Sequence, residues 1–294
     1  MQESDCLKKI LLFYKKSSYK IYCLERKNPF YLRDTLIARR QVKRFKEAHE
    51  EHCATLAYLE GLLRQYGLSY DKMVRGRSLP EKTYAVVITV GGDGTFLEAT
   101  HKFEGQTIIG VNSSPRYSVG KLCVLRRENL ERFVRRLAEG RLLIRPLHRL
   151  ELRWKDGRPA TLVTNDVLVS HKNPAAMSRY ELRIGKTLER QHSSGVWIAT
   201  AAGSSGAIYS AGGKHINRWR KDFQYKPREL HVGILERYVL TGGILAESQS
   251  IHLTSLMREG TVFVDGAHIR ERFSFGDQVR IALSKRPVQT VDCS

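Results

Sequence analysis

The sequence predicts an α/β domain with a parallel sheet over residues 1–145 and a β-rich domain over residues 146–294. Three observations predict it. In the first half, short apolar runs alternate with helix-spaced stretches, the pattern of strand–helix–strand units. After Pro146 the apolar period falls to two. The length, 294 residues, suits two domains of roughly 100–200 residues each.

Taken in order, Ile10 to Tyr14 reads as a strand, and the stretch from about Glu47 to Tyr66 as a helix ended by Gly67. Tyr84 to Val90 is a buried strand, Phe96–Lys102 a helix-compatible run and Thr107 to Val111 a further strand. Leu130 to Ala138 is a helix closed by Gly140. Beyond Pro146, Leu150, Leu152 and Trp154 alternate with charged residues, and Asp156-Gly157 follows as a dipeptide suited to a type I′ hairpin. More short strands are expected at Leu162–Val169, Tyr180–Ile184, Val196–Thr200, Ile251–Thr254, Thr261–Val264 and Gln278–Leu283. A second Asp-Gly turn falls at Asp265-Gly266. One helical insertion follows Ser204, and Asn217–Arg228 reads as an irregular connection.

Fifty Lys+Arg against thirty Asp+Glu leave a net charge of +20. The longest apolar run near the middle, Ala85 to Val90, is far below the ~20 residues of a membrane span. The opening residues, with Glu3 and Asp5, do not read as a secretory signal. A basic surface points to an anionic partner. The charge is spread along the chain, however, and neither an RNP-type aromatic motif nor a Cys/His finger accompanies it, which argues against nucleic acid as the main partner. The five cysteines Cys6, Cys23, Cys53, Cys123 and Cys293 are scattered without a C-x-x-C, as expected of reduced thiols. His49-Glu50-Glu51-His52-Cys53 is one residue short of H-E-x-x-H and reads as a solvated helix face. No metal site is assigned to the chain.

The sharpest feature is Gly91-Gly92-Asp93-Gly94-Thr95, directly after the buried strand and before a helix-compatible run. Glycines let the backbone approach a ligand with no Cβ in the way, and helix N-terminal amides favour phosphate. A carboxylate facing a polyphosphate would repel it unless it holds Mg²⁺ or takes a proton from an attacking hydroxyl. The combination suggests phosphoryl transfer; the bland alternative is a turn in which Asp93 caps the helix. The segment is neither a Walker A nor a G-x-G-x-x-G.

At this loop the sequence resembles the kinases that carry G-G-D-G-T. Three further segments select the NAD kinases among them: Gly110-Val111-Asn112, the pair Asn165-Asp166, and Ser194 to Ser205 leading into Ser210-Ala211-Gly212-Gly213. The last is similar to the family's D-G-…-T-P-T-G-S-T-A-Y-…-S-A-G-G, and Val264-Asp265-Gly266 is a weaker echo. The departures are Ser194 for the Asp of the D-G pair, Ala207 for the Tyr that packs on the nucleotide, and a longer loop from Ser113 to Cys123. The loop and Ser193-Ser194-Gly195 resemble the divergent mitochondrial-type branch.

The resemblance implies a Rossmann-like N-terminal domain and a β-sandwich-like C-terminal domain. It implies transfer of the γ-phosphoryl of ATP, or another triphosphate, to the 2′-hydroxyl of the adenosine ribose of NAD(H), giving NADP(H), with Mg²⁺. On the same resemblance Asp93 is the catalytic residue, and Gly91, Gly92, Gly94 and Thr95 cradle phosphates. Asn112, Asn165, Asp166, Ser205, Gly206 and Ser210 contact nucleotide. Arg116, Lys121, His192 and Lys214 lie beside the motifs as candidate phosphate contacts or solvated charges. A homodimer or homotetramer is expected, in the cytoplasm or, in a eukaryote, the mitochondrial matrix, with no membrane partner. A lipid kinase of the same superfamily and a non-catalytic nucleotide sensor are the alternatives.

Overall fold

The computed structural model describes residues 10–78, 83–231, 233, 237–266 and 269–292. Cys6 and Cys293 lie outside them; Cys23, Cys53 and Cys123 are not joined in disulfides. The chain forms two compact units, one made of the residues up to Arg145 together with those from Gln289, the other of Pro146–Val288. The second boundary corrects the expected division at 146–294. The strand Val288–Val291 returns to the first unit because Val291 is a buried member of that unit's core.

In the first unit a six-stranded sheet runs in the order β2 (Tyr70–Val74), β1 (Ile10–Tyr14), β3 (Val86–Gly91), β4 (Thr107–Asn112), β18 (Val288–Val291) and β5 (Ile144–Leu147). β1 pairs in parallel with β2 and β3, and β3 in parallel with β4. Every residue of β3 is buried, as a strand covered on both faces requires. Ile10, Leu12, Ile88 and Val90 share a core with Leu59, Leu62 and Leu63 of α2 (Leu36–Gln65) and Phe133 and Leu137 of α4 (Leu130–Ala138). Phe13, of the opposite parity, meets Phe103 edge-on at 5.8 Å, just past α3 (Asp93–Lys102).

α2 begins eleven residues before the expected start. Thr35 caps it, accepting the Ala38 N–H at 3.2 Å. The sequence hid this start because Leu36 and Ile37 are exposed and Arg39, Arg40, Lys43 and Arg44 face solvent, so the first three turns carry no apolar stripe. A short α1 (Pro29–Leu32) precedes it. β2 was not expected either, since Met73 is its only buried residue, as suits an edge strand.

The second unit stacks two six-stranded antiparallel sheets. One runs β10 (Thr187–Ser193), β9 (Ser178–Ile184), β14 (Ser250–Ser255), β17 (Gln278–Leu283), β6 (Leu150–Trp154), β7 (Thr161–Val163). The other runs β13 (Gly243–Leu245), β12 (Phe223–Pro227), β11 (Val196–Thr200), β8 (Asp166–His171), β15 (Gly260–Val264), β16 (Ile269–Phe273). Leu152, Leu182, Leu253 and Ile281 of the first share a core with Val167, Val169, Ile198 and Val262 of the second, the interdigitation of a sandwich.

Three expectations are corrected here. The strand expected over 162–169 is two strands, β7 and β8, in different sheets, broken at Thr164-Asn165. The irregular connection expected over 217–228 contains β12, whose Phe223, Gln224 and Tyr225 are buried. Asp156-Gly157 is not a type I′ turn, because only Gly157 has positive φ (85°). At Asp265-Gly266 both residues do, at 51° and 76°.

Candidate active site

In the first unit β3 delivers the chain to Gly91, and α3 starts two residues later with Gly92 as its N-cap. Neither glycine needs an unusual φ; both are needed for close approach. A Cβ on Gly91 would strike Thr95 Oγ1, and one on Gly92 would sit 2.5 Å from Ser118 Oγ. Thr95 is buried, and its hydroxyl oxygen has no partner. The Asp93 and Gly94 amides precede any intrahelical acceptor, whereas the Thr95 N–H donates to Gly92 O at 2.9 Å; with the dipole the first two present positive partial charge beside Asp93.

The Asp93 carboxylate is tied to the loop after β4. Oδ2 accepts the Lys121 N–H at 2.9 Å and Oδ1 the Leu122 N–H at 2.7 Å. These bonds fix its orientation and leave one lone pair on each oxygen. Asn112, expected to contact nucleotide, is 1 % exposed, and its amide serves the same loop instead. Nδ2 donates to Ser118 O at 3.0 Å, and Oδ1 accepts the Ser114 N–H at 3.3 Å. Asn112 shapes the segment that holds Asp93.

His52 corrects the reading of a solvated helix face. It is 4 % exposed, because it falls on the same stripe of α2 as Thr55, Leu59 and Leu63, seven residues before Leu59. Its Nδ1 lies 2.8 Å from Ser113 Oγ. Ser113 N–H in turn donates to Gly91 O at 2.9 Å, and Thr55 Oγ1 donates to Ser113 O at 3.2 Å. Burial, then the nearby charges of Lys15 and His49, push His52 down to about 4, so its ring is neutral near pH 7. Only the 52–55–59 spacing signalled this, and the polar neighbours obscured it.

In the second unit Asn165 and Asp166 lie at the break between β7 and β8, against the turn after β11. Thr200 Oγ1 donates to Thr164 O at 2.8 Å and accepts the Gly203 N–H at 2.9 Å. A Cβ on Gly203 would strike Asn165 O, and one on Gly206 would lie 3.4 Å from Asp166 Oδ2. The structure therefore brings Asn165, Asp166 and Gly206 together. Ser205 is half-buried beside them, whereas Ser210 is exposed at the far end of α5 (Ala207–Ser210). The expected insertion after Ser204 is only this four-residue helix and the 3₁₀ turn Ala202–Ser205 before it. Tyr209, passed over in the sequence, stands 58 % exposed on α5, two residues beyond the family's Tyr position.

Asp265 anchors this cluster. Its carboxylate accepts the N–H groups of Thr164 (3.0 Å), Asn165 (2.6 Å) and Asp166 (3.2 Å). Asp166, 4 % exposed, accepts from Asn165 Nδ2 at 3.0 Å. Burial first, and the Asp265 charge second, push its carboxyl up to about 7. Two carboxyls meeting across 99 residues of sequence are invisible to motif spacing. Of the flanking basic residues, Arg116 is exposed and pairs with Glu51 at 3.5 Å. Lys121 and Lys214 are exposed, and His192 is half-buried in β10.

The ATP-NAD kinase C-terminal domain family matches residues 164–293. A protein of Oryza sativa subsp. japonica named probable NADH kinase is 30% identical over 263 residues, covering 82% of this chain and 81% of its own length. The chain belongs to the NAD kinase family. Another family member, the NADH kinase of Arabidopsis thaliana, is 28% identical over 297 residues, with 87% of this chain and 88% of that one covered. Among solved NAD kinases, the Archaeoglobus fulgidus enzyme in complex with ATP matches with a TM-score of 0.68 at 20% identity, covering 97% of this chain and 93% of that one. The yeast NADH kinase complexed with NADH matches with a TM-score of 0.70 at 17% identity, covering 97% and 84%. These two likenesses show the fold. No helix among the described residues is long and apolar enough to cross a membrane.

Proposed function

We propose that this NAD kinase family member transfers the γ-phosphoryl of ATP to the 2′-hydroxyl of the adenosine ribose of NAD⁺ or NADH. The observation that carries the proposal is the oriented Asp93 carboxylate at the head of α3, directly after the Gly91-Gly92 turn. The ribose hydroxyl gives its proton to Asp93 as its oxygen bonds the γ-phosphorus, and the bridging bond to the β-phosphate breaks to release ADP. A positioned base of this kind contributes typically ~10²–10⁴-fold. The Asp93 and Gly94 amides at the start of α3 suit the transferring phosphate, while Gly91 and Gly92 let Thr95 and Ser118 close against the turn.

Asn165 and Asp166, with Gly206 and Ser205 beside them, are assigned to the dinucleotide, Asp166 as a group for ribose or adenine contacts. Asn112 positions the loop. That the rice and Arabidopsis relatives are named NADH kinases supports including the reduced dinucleotide as acceptor. Among the described residues no group of three or more His, Cys, Asp or Glu forms a metal cage. Mg²⁺ would be held by the nucleotide phosphates together with the Asp93 carboxylate at the turn. Bound there, the ion would neutralise charge on the phosphates. Assembly as a homodimer or homotetramer in a reducing compartment completes the proposal.

The test is an endpoint assay with Mg·ATP and either dinucleotide, read by an NADP-specific dehydrogenase. Product supports the reaction. A folded protein that binds ATP but yields no product with either dinucleotide is a sensor or uses another acceptor. Light scattering on the same preparation reads the oligomeric state.

A further inference from the structure

β1 and β3 are neighbours from which the chain winds in opposite directions, to β2 through α2 and to β4 through α3. Where connections diverge in this way, a crevice opens beyond the carboxyl ends of the parallel strands, and doubly wound proteins bind ligands there. In this unit the crevice is a pocket of roughly 260 Å³. Lys15, Ser17 and Ser18 line it from the end of β1, Arg44 from α2, and Ser114 and Tyr117 from the loop after β4.

Two cations in this pocket lack counterions. Lys16 pairs with Glu25, Arg39 with Asp34 and Lys46 with Glu50, yet among the described residues no ion pair involves Lys15 or Arg44. Lys15 is half-buried, and the cost of burying its charge pulls its ammonium below the ordinary lysine range; a bound anion would offset that cost. Ser18 begins the π-helical turn Tyr19–Glu25, but its hydroxyl makes no capping bond. Ser17, by contrast, is occupied, 2.8 Å from His49 Nδ1.

The pocket borders the Gly-Gly turn through shared elements. Lys15 N–H donates to Val90 O at 3.2 Å, one residue before Gly91. The loop that supplies Ser114 and Tyr117 continues to Ser118, whose hydroxyl fills the space a Gly92 side chain would take.

We propose that this pocket holds the phosphate chain of the phosphoryl donor, with Lys15 and Arg44 as its charge partners and Ser18 as a hydroxyl donor. The proposal rests on the kinase reading above and deepens it. At roughly 260 Å³ the pocket has room for a polyphosphate chain. A triphosphate chain carries more negative charge than the pyrophosphate diester of a dinucleotide, and two unpaired cations match the former better.

The experiment measures both substrate KM values for Lys15→Met, Arg44→Met and Lys15→Arg, beside direct binding of Mg·AMP-PNP and competition by inorganic tripolyphosphate. The expected result is a KM for ATP raised about tenfold or more in Lys15→Met. Arg44→Met, on an exposed helix position that tolerates substitution, follows in the same direction. The dinucleotide KM stays within about threefold, and Lys15→Arg recovers most of the loss. Tripolyphosphate competes with ATP in the wild type and weakly in the Met variants. A rise in the dinucleotide KM alone assigns the pocket to the acceptor and overturns the proposal; no change in either KM makes these solvated charges and overturns it as well. If the wild type makes no product, weakened AMP-PNP binding in the Met variants upholds the pocket while the kinase reading fails. Unchanged binding there sinks both.

Discussion

His52 Nδ1 lies 2.8 Å from Ser113 Oγ, and that contact joins the long helix α2 to the loop that follows β4. Ser113 also donates its N–H to Gly91 O. The position of the Gly-Gly turn is therefore set in part by a helix whose sequence gives no sign of approaching it.

Replacing His52 tests that link and carries a pH signature. A histidine held near 4 when folded and about 6.5 when unfolded takes up protons on unfolding between those values. Its contribution is complete above about 6.5 and is lost as pH falls toward 4. Relative to His52→Gln, the wild type should lose about 3 kcal/mol between pH 7 and pH 4, measured by urea unfolding. Parallel curves for the two proteins would contradict the buried neutral ring.

Asp166 should show the opposite slope. Its carboxyl binds a proton more tightly when folded, so its contribution is full below about 4 and is withdrawn as pH rises through about 7. Asp166→Asn should therefore gain stability over the wild type from pH 5 to pH 8, on the order of 2 kcal/mol. A constant difference across that range would mean Asp166 is ionised throughout.

Asp93→Asn keeps the shape of the side chain but turns one acceptor into a donor facing the Lys121 or Leu122 N–H. The fold should lose about 1 kcal/mol, nucleotide binding should persist, and turnover should fall by roughly 10²–10⁴-fold. Near-normal turnover in a rapid-quench assay would remove Asp93 from the role of base.

Gly92→Ala separates a packing glycine from a functional one. The added Cβ meets only the Ser118 side chain, with Oγ at 2.5 Å and Cβ at 3.6 Å, and the hydroxyl can rotate away. Thermal stability should change by no more than about 1 kcal/mol, while kcat/KM drops at least about tenfold because the methyl displaces Ser118, on the segment whose Lys121 and Leu122 amides orient Asp93. A variant with full activity would show that this face of the turn is not used.

The sequence made the strand Val86–Gly91, the turn after it and the alternating strands of the second unit legible, because each carries its own local pattern. Gly91 to Thr95 forms the passage from β3 into α3 that its flanking patterns predict, and Asn165-Asp166 stands at the head of the apolar strand β8. What stayed hidden depends on partners far away in the chain. Asn112 was given a ligand's role because an amide can both donate and accept; only the loop's path shows that Ser114 and Ser118 take both ends. The link from Asp265 to Asp166 and the burial of His52 were hidden in the same way. β12 escaped because Trp219 and the charges before it masked Phe223 and Tyr225, which flank a polar Gln224.

The return of β18 to the sheet of the first unit sets an order on biosynthesis. The first unit's residues emerge from the ribosome first, yet its sheet lacks a strand until Gln289 and its neighbours follow, after all of Pro146–Val288. At about 5–20 residues per second, that interval lasts on the order of 10 s. The sandwich's last strand, β17, ends at Leu283 and β18 begins at Val288, so the two units complete their sheets almost together, and until then the Thr107 end of β4, where Gln289 will pair, waits open to a chaperone or a premature strand partner.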